Sequence, residues 1–325
     1  MQSAFNRNAF LQFGYKGGLG IILPFATFGT QPNYMKIALI TYQDQGAYAS
    51  PTVVNEDDKL LEFLQHKGLN IELVIWNNPQ IQWENYDLAI LKSPWDYFDL
   101  IADFYAWLET LKAKNVRLLN PTATVKWNAD KHYLQDIKSK GLWVTPSIFL
   151  EKGTLVNLNS YFDELETEKL IVKPCVSGGA KNTFKVTRAN IDEINAKLST
   201  LLYKEAFIVQ PFLSEIEENG EWSFLFFDQQ FSHALLKKAK TGDFRIQHAH
   251  GGSIHPQEAP TQLLQSAQRY VDQFAQDCLY ARVDGTVVNG EFLLMELELI
   301  EPFLFLDTDP NAFERYYQAL IRLIN

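Results

Sequence analysis

The sequence predicts a mixed α/β fold, with a parallel sheet in the N-terminal third of the chain and a mostly antiparallel sheet in the C-terminal third. Apolar runs of strand length alternate with helical patterns at 35–121, which is typical of a parallel sheet. Two hairpin patterns, at 220–238 and 280–302, dominate the last third. The 325 residues are enough for two or three domains.

The first domain is predicted at 35–121. Its four expected strands lie at 35–42, 70–77, 86–94 and 116–121, and its two helices at 55–68 and 100–115. Ligands of parallel sheets bind at the carboxyl ends of the strands. The loop KSPWDYFD at 92–99 follows such an end, so it is either a site loop or a packed Trp-Pro turn.

Short strands and helices follow in a different order at 122–205, which we treat as a second region. The third region, 206–325, holds the two hairpins. Outside the first domain, helices are predicted at 124–141, near 189–203 and at 261–278. The sequence shows no internal repeat and no low-complexity tract.

Composition excludes several classes of protein. A hydrophobic fraction of 46% and a charged fraction of 21% are those of an ordinary globular protein. The net charge of -10 argues against nucleic-acid binding. Cys175 and Cys278 supply neither a disulfide framework nor a zinc site, and they indicate a reducing compartment such as the cytoplasm. No segment is long enough to span a bilayer.

Residues 1–34 differ from the rest of the chain. They contain Arg7 and Lys16 but no acid, and Met35 directly opens a predicted strand. A start assigned too far upstream, a targeting segment and a genuine arm each explain this pattern. Because signal-peptide features are poor, we favour a start assigned too far upstream or a dispensable arm. We expect a protein that begins at Met35 to fold and to bind its ligand like the full chain.

The segment LLMELELIEP at 293–302 is an unusual strand, because it carries Glu296, Glu298 and Glu301 among apolar residues. Side chains two residues apart on a strand point to the same face, so Glu296 and Glu298 are neighbours. Like charges held this close are costly in a buried segment. The sequence therefore raises the question of what neutralises them.

The turn VVNG of the last hairpin leaves two registers open. A two-residue turn at Asn289-Gly290 is the stronger local signal. It pairs Asp284 with Met295, which puts Asp284 on the face opposite Glu296.

A three-residue loop at 288–290, with Gly290 in the left-handed bulge position, gives the other register. It pairs Asp284 with Leu294. Four charged side chains then share one face: Arg282, Asp284, Glu296 and Glu298. We predict this register, because only here are the acids together where a cation neutralises them.

The predicted cation is Mg²⁺, with Mn²⁺ as an alternative, bound by Asp284, Glu296 and Glu298. Magnesium prefers oxygen ligands and is usually held by one or two carboxylates together with substrate phosphates. The competing explanation is that Arg282 neutralises one acid while the others reach solvent. The acids alone do not decide between the two.

The stretch LIVKPCVSGGAKNTF indicates a phosphate site. Lys173 ends an apolar strand, and Ser177, Gly178 and Gly179 follow it. Small residues let backbone N–H groups approach phosphate oxygens closely. A plain β-turn explains the motif equally well, and the motif matches neither a P-loop nor a dinucleotide fingerprint.

Three further pieces fit a nucleotide and its substrate. The strand at 208–213 is broken by Pro211, which leaves backbone groups beside the break to pair with an adenine edge. Glu221 has the chemistry to hold ribose hydroxyls. Arg245 has the chemistry to clamp a carboxylate or phosphoryl group. The nearby His248 and His250 lack a third ligand for a metal site.

In this order the pieces resemble the ATP-grasp superfamily, and its glutathione synthetase-like branch in particular, over roughly 126–306. The first domain resembles in kind the domain that precedes ATP-grasp. The resemblance assigns ATP binding to Lys131, Lys173, Ser177, Gly178, Gly179, Gln210, Pro211, Phe212, Leu213 and Glu221. It assigns the metal to Asp284, Glu296 and Glu298, and catalysis to Arg245 and Arg282.

One position departs from the family pattern. The acidic strand usually ends in Glu-x-Asn, whereas this chain has Glu296-Leu-Glu298. The segment MELELIEPFLFL and the WDY of the loop at 92–99 are closer to a sub-branch of O-ureido-serine cyclo-ligase-type proteins. In this sub-branch Glu298 still offers oxygen to a metal, with one more negative charge.

The resemblance implies an ATP- and magnesium-dependent ligase that joins a carboxylate to an amine or another nitrogen nucleophile through an acyl phosphate. An intramolecular cyclo-ligase of an amino-acid derivative and a non-catalytic ATP-binding protein are the alternatives. The expected partners are small carboxylate and amine substrates, with no nucleic acid and no membrane, and a homodimer is left open. The implied fold has a lid subdomain at 122–205 between the two sheet domains.

Overall fold

The computed structural model describes residues 35–43, 55–238 and 252–325. The extension at 1–34 and the predicted site residue Arg245, with His248 and His250, lie outside the described residues. The predicted fold class is confirmed: a parallel sheet comes first, and antiparallel sheets follow. Within the described residues, no helix combines the length and the hydropathy of a membrane span.

The N-terminal sheet is parallel, with the strand order β2-β1-β3-β4. Its elements are β1 (Lys36–Thr41), α1 (Glu56–His66), β2 (Asn70–Ile75), β3 (Leu88–Ser93), α2 (Ile101–Ala113) and β4 (Arg117–Leu119). β3 is buried at every position, as expected for a central parallel strand that is covered on both faces. α2 packs Phe104, Trp107, Leu108 and Leu111 into this core.

A small antiparallel sheet with the order β5-β8-β6-β7 lies in the middle region. The elements here are α3 (Thr122–Asn128), α4 (Tyr133–Ser139), β5 (Ile148–Leu150), α5 (Leu158–Glu164), β6 (Leu170–Pro174), β7 (Phe184–Val186), α6 (Ile191–Leu201) and β8 (Phe207–Pro211). The single helix predicted at 124–141 is wrong, since α3 and α4 are separate. Asp130 Oδ1 accepts the N–H of His132 at 3.0 Å, and this local bond competes with helical pairing.

The C-terminal sheet is antiparallel, with the order β11-β10-β9-β12-β13. Its elements are α7 (Glu215–Asn219), β9 (Glu221–Phe227), β10 (Gln230–Lys238), β11 (Ser253–Gln257), α8 (Thr261–Phe274), β12 (Tyr280–Val288), β13 (Glu291–Glu298) and α9 (Ala312–Ile324). Both predicted hairpins are confirmed. α8 covers one face of β12 and β13, and it packs Ala267 and Val271 against Phe292 and Leu294.

The predicted three-residue loop between β12 and β13 is wrong. Val288 pairs with Glu291, so the turn is the two-residue Asn289-Gly290, and both turn residues have positive φ (52° and 84°). This is the pairing that the right-handed twist of two hairpin strands favours. The stronger local signal therefore decides the turn.

The register of the hairpin changes further along, at a β-bulge. Gly285 pairs with Leu294, but its neighbour Asp284 pairs with Glu296, so Met295 is the extra residue and the predicted pairing of Asp284 with Leu294 is wrong. Gly285 has no room for a side chain, because a Cβ there would overlap the carbonyl of Leu293. The one-residue slip turns Asp284 to the face of Glu296.

Candidate active site

The acids that the sequence singles out lie on one face of the C-terminal sheet. The bulge places Asp284 directly opposite Glu296, and Arg282 opposite Glu298. The prediction that these side chains share one face is therefore confirmed. The bulge within the hairpin, and not the turn, brings them to that face. All four side chains are buried or partly buried.

Arg282 is the central cation of this face. Its Nη2 lies 2.8 Å from Asp284 Oδ2, its Nε lies 3.0 Å from the same oxygen, and it also binds Glu298. Its Nη1 donates to the carbonyl of Phe303 at 3.0 Å. Ser223 Oγ donates to Asp284 at 2.5 Å. Arg282 thus neutralises two acids, not the one considered in the competing explanation.

Lys237 is a site residue that the sequence reasoning missed. It is buried, and its Nζ lies 3.1 Å from Glu221 Oε1 and 3.3 Å from Asp284 Oδ2. The β9–β10 hairpin pairs it with Glu221. The signal for it was a lysine at the end of an apolar strand in the HALLKK stretch, which meets Glu221 on the neighbouring strand and Asp284 on the next strand of the sheet.

The middle region adds two lysines to the same place. Lys173, at the end of β6, lies 2.6 Å from Glu296 Oε1. Lys131 follows the break between α3 and α4, and its Nζ donates to the carbonyl of Ser177 at 3.0 Å. Lys131 is buried, and burial lowers its pKa. Cations from two separate regions therefore surround the acids of β13.

The pKa values of the four acids split into two pairs. Burial alone would raise the pKa of Asp284 and Glu296, but the neighbouring cations overcome it and bring both to about 2. Burial raises the pKa of Glu298 and Glu221 to about 7, against the opposing effect of Arg282 and Lys237 respectively. Two acids are thus ionised at neutral pH, and two lack enough positive charge to be fully ionised.

The far edge of β13 is held by side chains from α3 and α4. Asn128 donates to the carbonyl of Leu297 at 2.7 Å and accepts the N–H of Leu299 at 2.9 Å. The hydroxyl of Tyr133 accepts the N–H of Leu297 at 3.0 Å. Because β13 is an edge strand, these bonds replace a missing neighbour strand. The sequence reasoning missed them, since no short motif links Asn128 to a strand 169 residues away.

The glycine loop at 177–179 lies over this site. Ser177 Oγ donates to the carbonyl of Pro174 at 3.0 Å. A Cβ on Gly178 would lie 2.5 Å from Phe98 Cε1, so only glycine fits there. Gly179 has a positive φ of 58°. The loop therefore contacts the loop at 92–99 of the N-terminal domain.

The loop at 92–99 is both a packed turn and a border of the site. Tyr97 and Phe98 are buried in the N-terminal core. Trp95 Nε1 donates to the carbonyl of Glu301 at 3.1 Å, and Asp99 forms an ion pair with Lys181 beyond the glycine loop. The two explanations given for this loop are thus compatible.

The predicted adenine segment forms the end of β8. Gln210 is buried and donates to Ser147 Oγ at 3.0 Å, and Pro211 pairs with Leu170. The amide of Phe212 donates to the carbonyl of Lys169 at 2.9 Å, so this amide is not free.

The Nζ of Lys185 lies over the ring of Phe212, 3.9 Å from the ring centroid. The last residue of the segment, Leu213, accepts the N–H of Ile216 at 3.2 Å. The assignment of 210–213 to adenine stays a prediction.

The acidic face carries more carboxylates than cations. Among the described residues, four carboxylates (Glu221, Asp284, Glu296, Glu298) are bonded to only three cations (Lys173, Lys237, Arg282). The raised pKa values of Glu221 and Glu298 report the same deficit. A donor set of carboxylate oxygens suits Mg²⁺ or Mn²⁺.

A small antiparallel sheet that carries Lys173, a glycine loop and a larger antiparallel sheet that carries the acids meet at one site, as in ATP-grasp proteins. The family model described as "Prokaryotic glutathione synthetase, ATP-grasp domain" matches 153–302. The model described as "D-cycloserine synthetase DcsG, N-terminal domain" matches 37–120. Residues 153–302 therefore belong to the ATP-grasp family, and residues 37–120 match an N-terminal domain of the DcsG type.

Individual relatives agree with this membership. The chain is 26% identical over 280 residues to the cycloserine biosynthesis protein DcsG of Streptomyces lavendulae, which covers 80% of this chain and 91% of the relative. The crystal structure of D-cycloserine synthetase DcsG superposes with a TM-score of 0.78 at 24% identity, over 89% of this chain and 99% of that one. D-alanine–D-alanine ligase from Bacillus anthracis gives a TM-score of 0.65 at 17% identity, over 89% and 97%.

Proposed function

We propose that this protein is an ATP- and magnesium-dependent ligase that joins a carboxylate to a nitrogen nucleophile through an acyl phosphate. The observation that carries the proposal is that Lys173 and Arg282 bind the acids of β12 and β13. Lys131 lies beside them and donates to the carbonyl of Ser177. Membership in the ATP-grasp superfamily, with ligases among the relatives, supports it.

The metal would be held by Asp284, Glu296 and Glu298. When bound, Mg²⁺ would neutralise charge on the phosphates and polarise the phosphoryl group that is transferred. The excess of carboxylate on this face supports the assignment. Mn²⁺ offers the same coordination chemistry.

The cationic side chains would act on the phosphates and on the reacting carbonyl. Lys131, Lys173 and Lys237 would hold phosphate oxygens, and the glycine loop at 177–179 would exclude water from the acyl phosphate. Arg282 would stabilise the oxyanion that forms when the nitrogen attacks.

The remaining assignments come from the resemblance. The segment 210–213 would hold adenine, Glu221 the ribose, and Arg245 the substrate or the γ-phosphate. The substrates would be small, amino-acid-like molecules, and the enzyme would work in the cytoplasm.

Phosphate release tests the proposal. The purified protein with Mg-ATP should release phosphate when one member of a panel of D- and L-amino acids, O-ureido-serine included, is added. Carboxyl-¹⁸O-labelled substrate should deliver one labelled oxygen to phosphate, because the nitrogen attacks the acyl carbon and the bond between this carbon and the phosphate oxygen breaks. Label that stays wholly in the product would exclude an acyl phosphate. No release with any substrate would indicate a non-catalytic ATP-binding protein.

An intramolecular cyclo-ligase is the second candidate, and the DcsG-type N-terminal domain favours it. Product mass separates the two. A cyclised product has the mass of one substrate minus water, whereas an intermolecular ligase gives the sum of two substrates minus water.

The metal assignment is tested by calorimetric titration of Mg-ATP. Mutation of a residue that only hydrogen-bonds to a metal ligand typically lowers metal affinity by roughly 10- to 100-fold. Glu296→Gln and Asp284→Asn alter the ligands themselves, so they should weaken Mg-ATP binding by at least this much. Glu291→Gln, an exposed acid at the start of β13, is the matched control. Wild-type affinity in both site variants would refute the metal assignment.

A further inference from the structure

Glu301 is the acid of the MELELIEP segment that the metal and Arg282 leave unused. It follows β13 and is partly buried. Glu296 is bonded to Lys173, and Glu298 to Arg282. Within the described part of the chain, the carboxyl of Glu301 has no hydrogen bond and no ion pair. A partly buried carboxyl without a protein partner is open to a ligand, and a group that donates N–H bonds would satisfy it.

The main chain of Glu301 is held rigidly. Its carbonyl accepts a bond from Trp95 Nε1 at 3.1 Å. The carbonyl of the preceding Ile300 accepts a bond from the hydroxyl of Tyr280 at 2.7 Å. Pro302 follows, and its ring restricts the backbone of Glu301 to extended conformations. The backbone that carries the Glu301 side chain is therefore held in place, as is required at a site that acts on a substrate.

Glu301 lies toward the N-terminal domain, where Lys131 is the lysine that faces it. Along the chain, Glu296 meets Lys173 of the middle region, whereas the backbone of Glu301 meets Trp95 of the N-terminal domain. The charged and titratable groups that face it are Tyr97, Tyr280, Lys131, Arg282, Glu296 and Glu298. Burial, followed by the charge of Glu298, raises the pKa of Glu301 to about 8.

We propose that Glu301 binds the nitrogen nucleophile of the ligation and accepts its proton. This inference rests on the proposed function and adds the residue that serves the amine. The nitrogen lone pair forms the C–N bond to the acyl-phosphate carbon, and the carbonyl π electrons move to oxygen. One N–H proton passes to the carboxylate of Glu301. The oxyanion then reforms the carbonyl, and the C–O bond to phosphate breaks to release inorganic phosphate.

Two nucleophiles separate this role from a role in activation. Hydroxylamine, which is already a neutral amine near pH 8, traps the acyl phosphate as a hydroxamate without help from a base. Glu301→Gln should lower ligation or cyclisation by roughly 10²- to 10⁴-fold, the usual contribution of a general base. It should leave hydroxamate formation within a few-fold of the wild type. The probes are D-alanine, D-serine and O-ureido-serine with Mg-ATP.

Two further variants complete the experiment. Glu301→Asp keeps the charge with a shorter reach and should retain intermediate ligation, which also covers failure of the Gln variant to fold. Glu291→Gln should behave as the wild type.

Each contrary result has one meaning. Equal loss of ligation and hydroxamate in Glu301→Gln, or ligation that is unchanged, would overturn the assignment while the wild type still ligates. A wild type that releases no phosphate with any probe would overturn the proposed function, and the role of Glu301 with it.

Discussion

A cluster of buried charge in the N-terminal domain and another on the C-terminal sheet differ in how their acids are satisfied. In the N-terminal cluster (Lys92, Glu56 and Asp57), the buried Lys92 Nζ lies 2.9 Å from Glu56 and 3.2 Å from Asp57. The carboxylate of Glu56 also accepts hydrogen bonds from the backbone. One oxygen accepts the N–H of Leu304 and the other accepts the N–H of Leu306, each at 2.9 Å. These bonds join α1 to the chain that follows β13.

The C-terminal cluster (Glu221, Lys237, Arg282, Asp284, Glu296, Glu298 and Lys173) also has one more acid than cations, but within the described residues no backbone N–H group donates to its acids. Glu221 and Glu298 have pKa values raised to about 7 by burial, which shows that their cations are shared with other acids. A cluster closed by its own backbone stabilises the fold. We infer that the surplus carboxylate of the C-terminal cluster, which no backbone group satisfies, is available to a ligand, and this is the difference between the two clusters.

Removing Lys92 should produce the largest effect. Lys92→Met leaves Glu56 and Asp57 buried without their cation, and breaking such a pair costs about 3–5 kcal/mol. Urea denaturation should show this loss. The matched control is Lys59→Met on α1, the helix that carries Glu56 and Asp57, since Lys59 forms an exposed pair with Asp307 at 2.8 Å that contributes at most about 1 kcal/mol.

The comparison fails if Lys92→Met melts like the wild type but loses turnover. The N-terminal cluster would then belong to the site. The pKa of Lys92 is raised by Glu56 and Asp57 in spite of its burial. Its contribution to stability is therefore fully present below the unfolded pKa of 10.5 and is lost only as pH rises through the folded value.

Removing Arg282 should act on turnover. Loss of a donor at a developing oxyanion typically lowers the rate by roughly 10²- to 10³-fold, or about 2.7–4 kcal/mol. Steady-state kinetics of Arg282→Ala should show this loss, while calorimetry should show a much smaller change in Mg-ATP affinity. Arg322→Ala removes an exposed arginine bonded to Asp228 at 2.7 Å and serves as control. Equal losses of turnover and of ATP affinity would instead assign Arg282 to nucleotide binding.

Neutralising Glu298 should change stability in the direction opposite to Lys92→Met. Its folded pKa, about 7, lies above the ordinary 4.5, so the associated stability is fully present below pH 4.5 and is lost as pH rises through 7. At pH 8, without ligand, Glu298→Gln should therefore be more stable than the wild type by about 1–2 kcal/mol. At pH 4.5 the two should unfold together. A variant that is less stable at pH 8 would show that Glu298 serves the fold.

Much of the fold and part of the site follow from local sequence. The strand alternation of the first domain, both hairpins and the acids of β13 each depend on a few neighbouring residues. Lys173 was found for the same reason, since an apolar strand that ends in lysine and is followed by Ser-Gly-Gly is a short pattern.

What could not be predicted depends on pairing across the chain. The bulge at Met295 shifts the register so that Asp284 pairs with Glu296. No local signal marks it, because the two-residue turn by itself favours the register that pairs Asp284 with Met295. Lys237 reaches the acids only through two hairpins that lie side by side. Asn128 is visible as a support of β13 only when the edge of the sheet is known.

The smallest predicted effect tests whether the N-terminal cluster is purely structural. Asn55 caps α1: its Oδ1 accepts the N–H of Asp58 at 3.3 Å, at the helix end that carries Glu56 and Asp57. Loss of such a cap costs about 1 kcal/mol, which for a chain of this size lowers Tm by roughly 2–4 °C. Asn55→Ala should show this shift in a thermal melt, and Asn55→Asp, which keeps the cap, should not. Mg-ATP affinity and turnover should match the wild type in both, because the cluster contributes to folding alone. If Asn55→Ala lowers turnover without lowering Tm, the N-terminal end of α1 positions a substrate. The two clusters would then form one site.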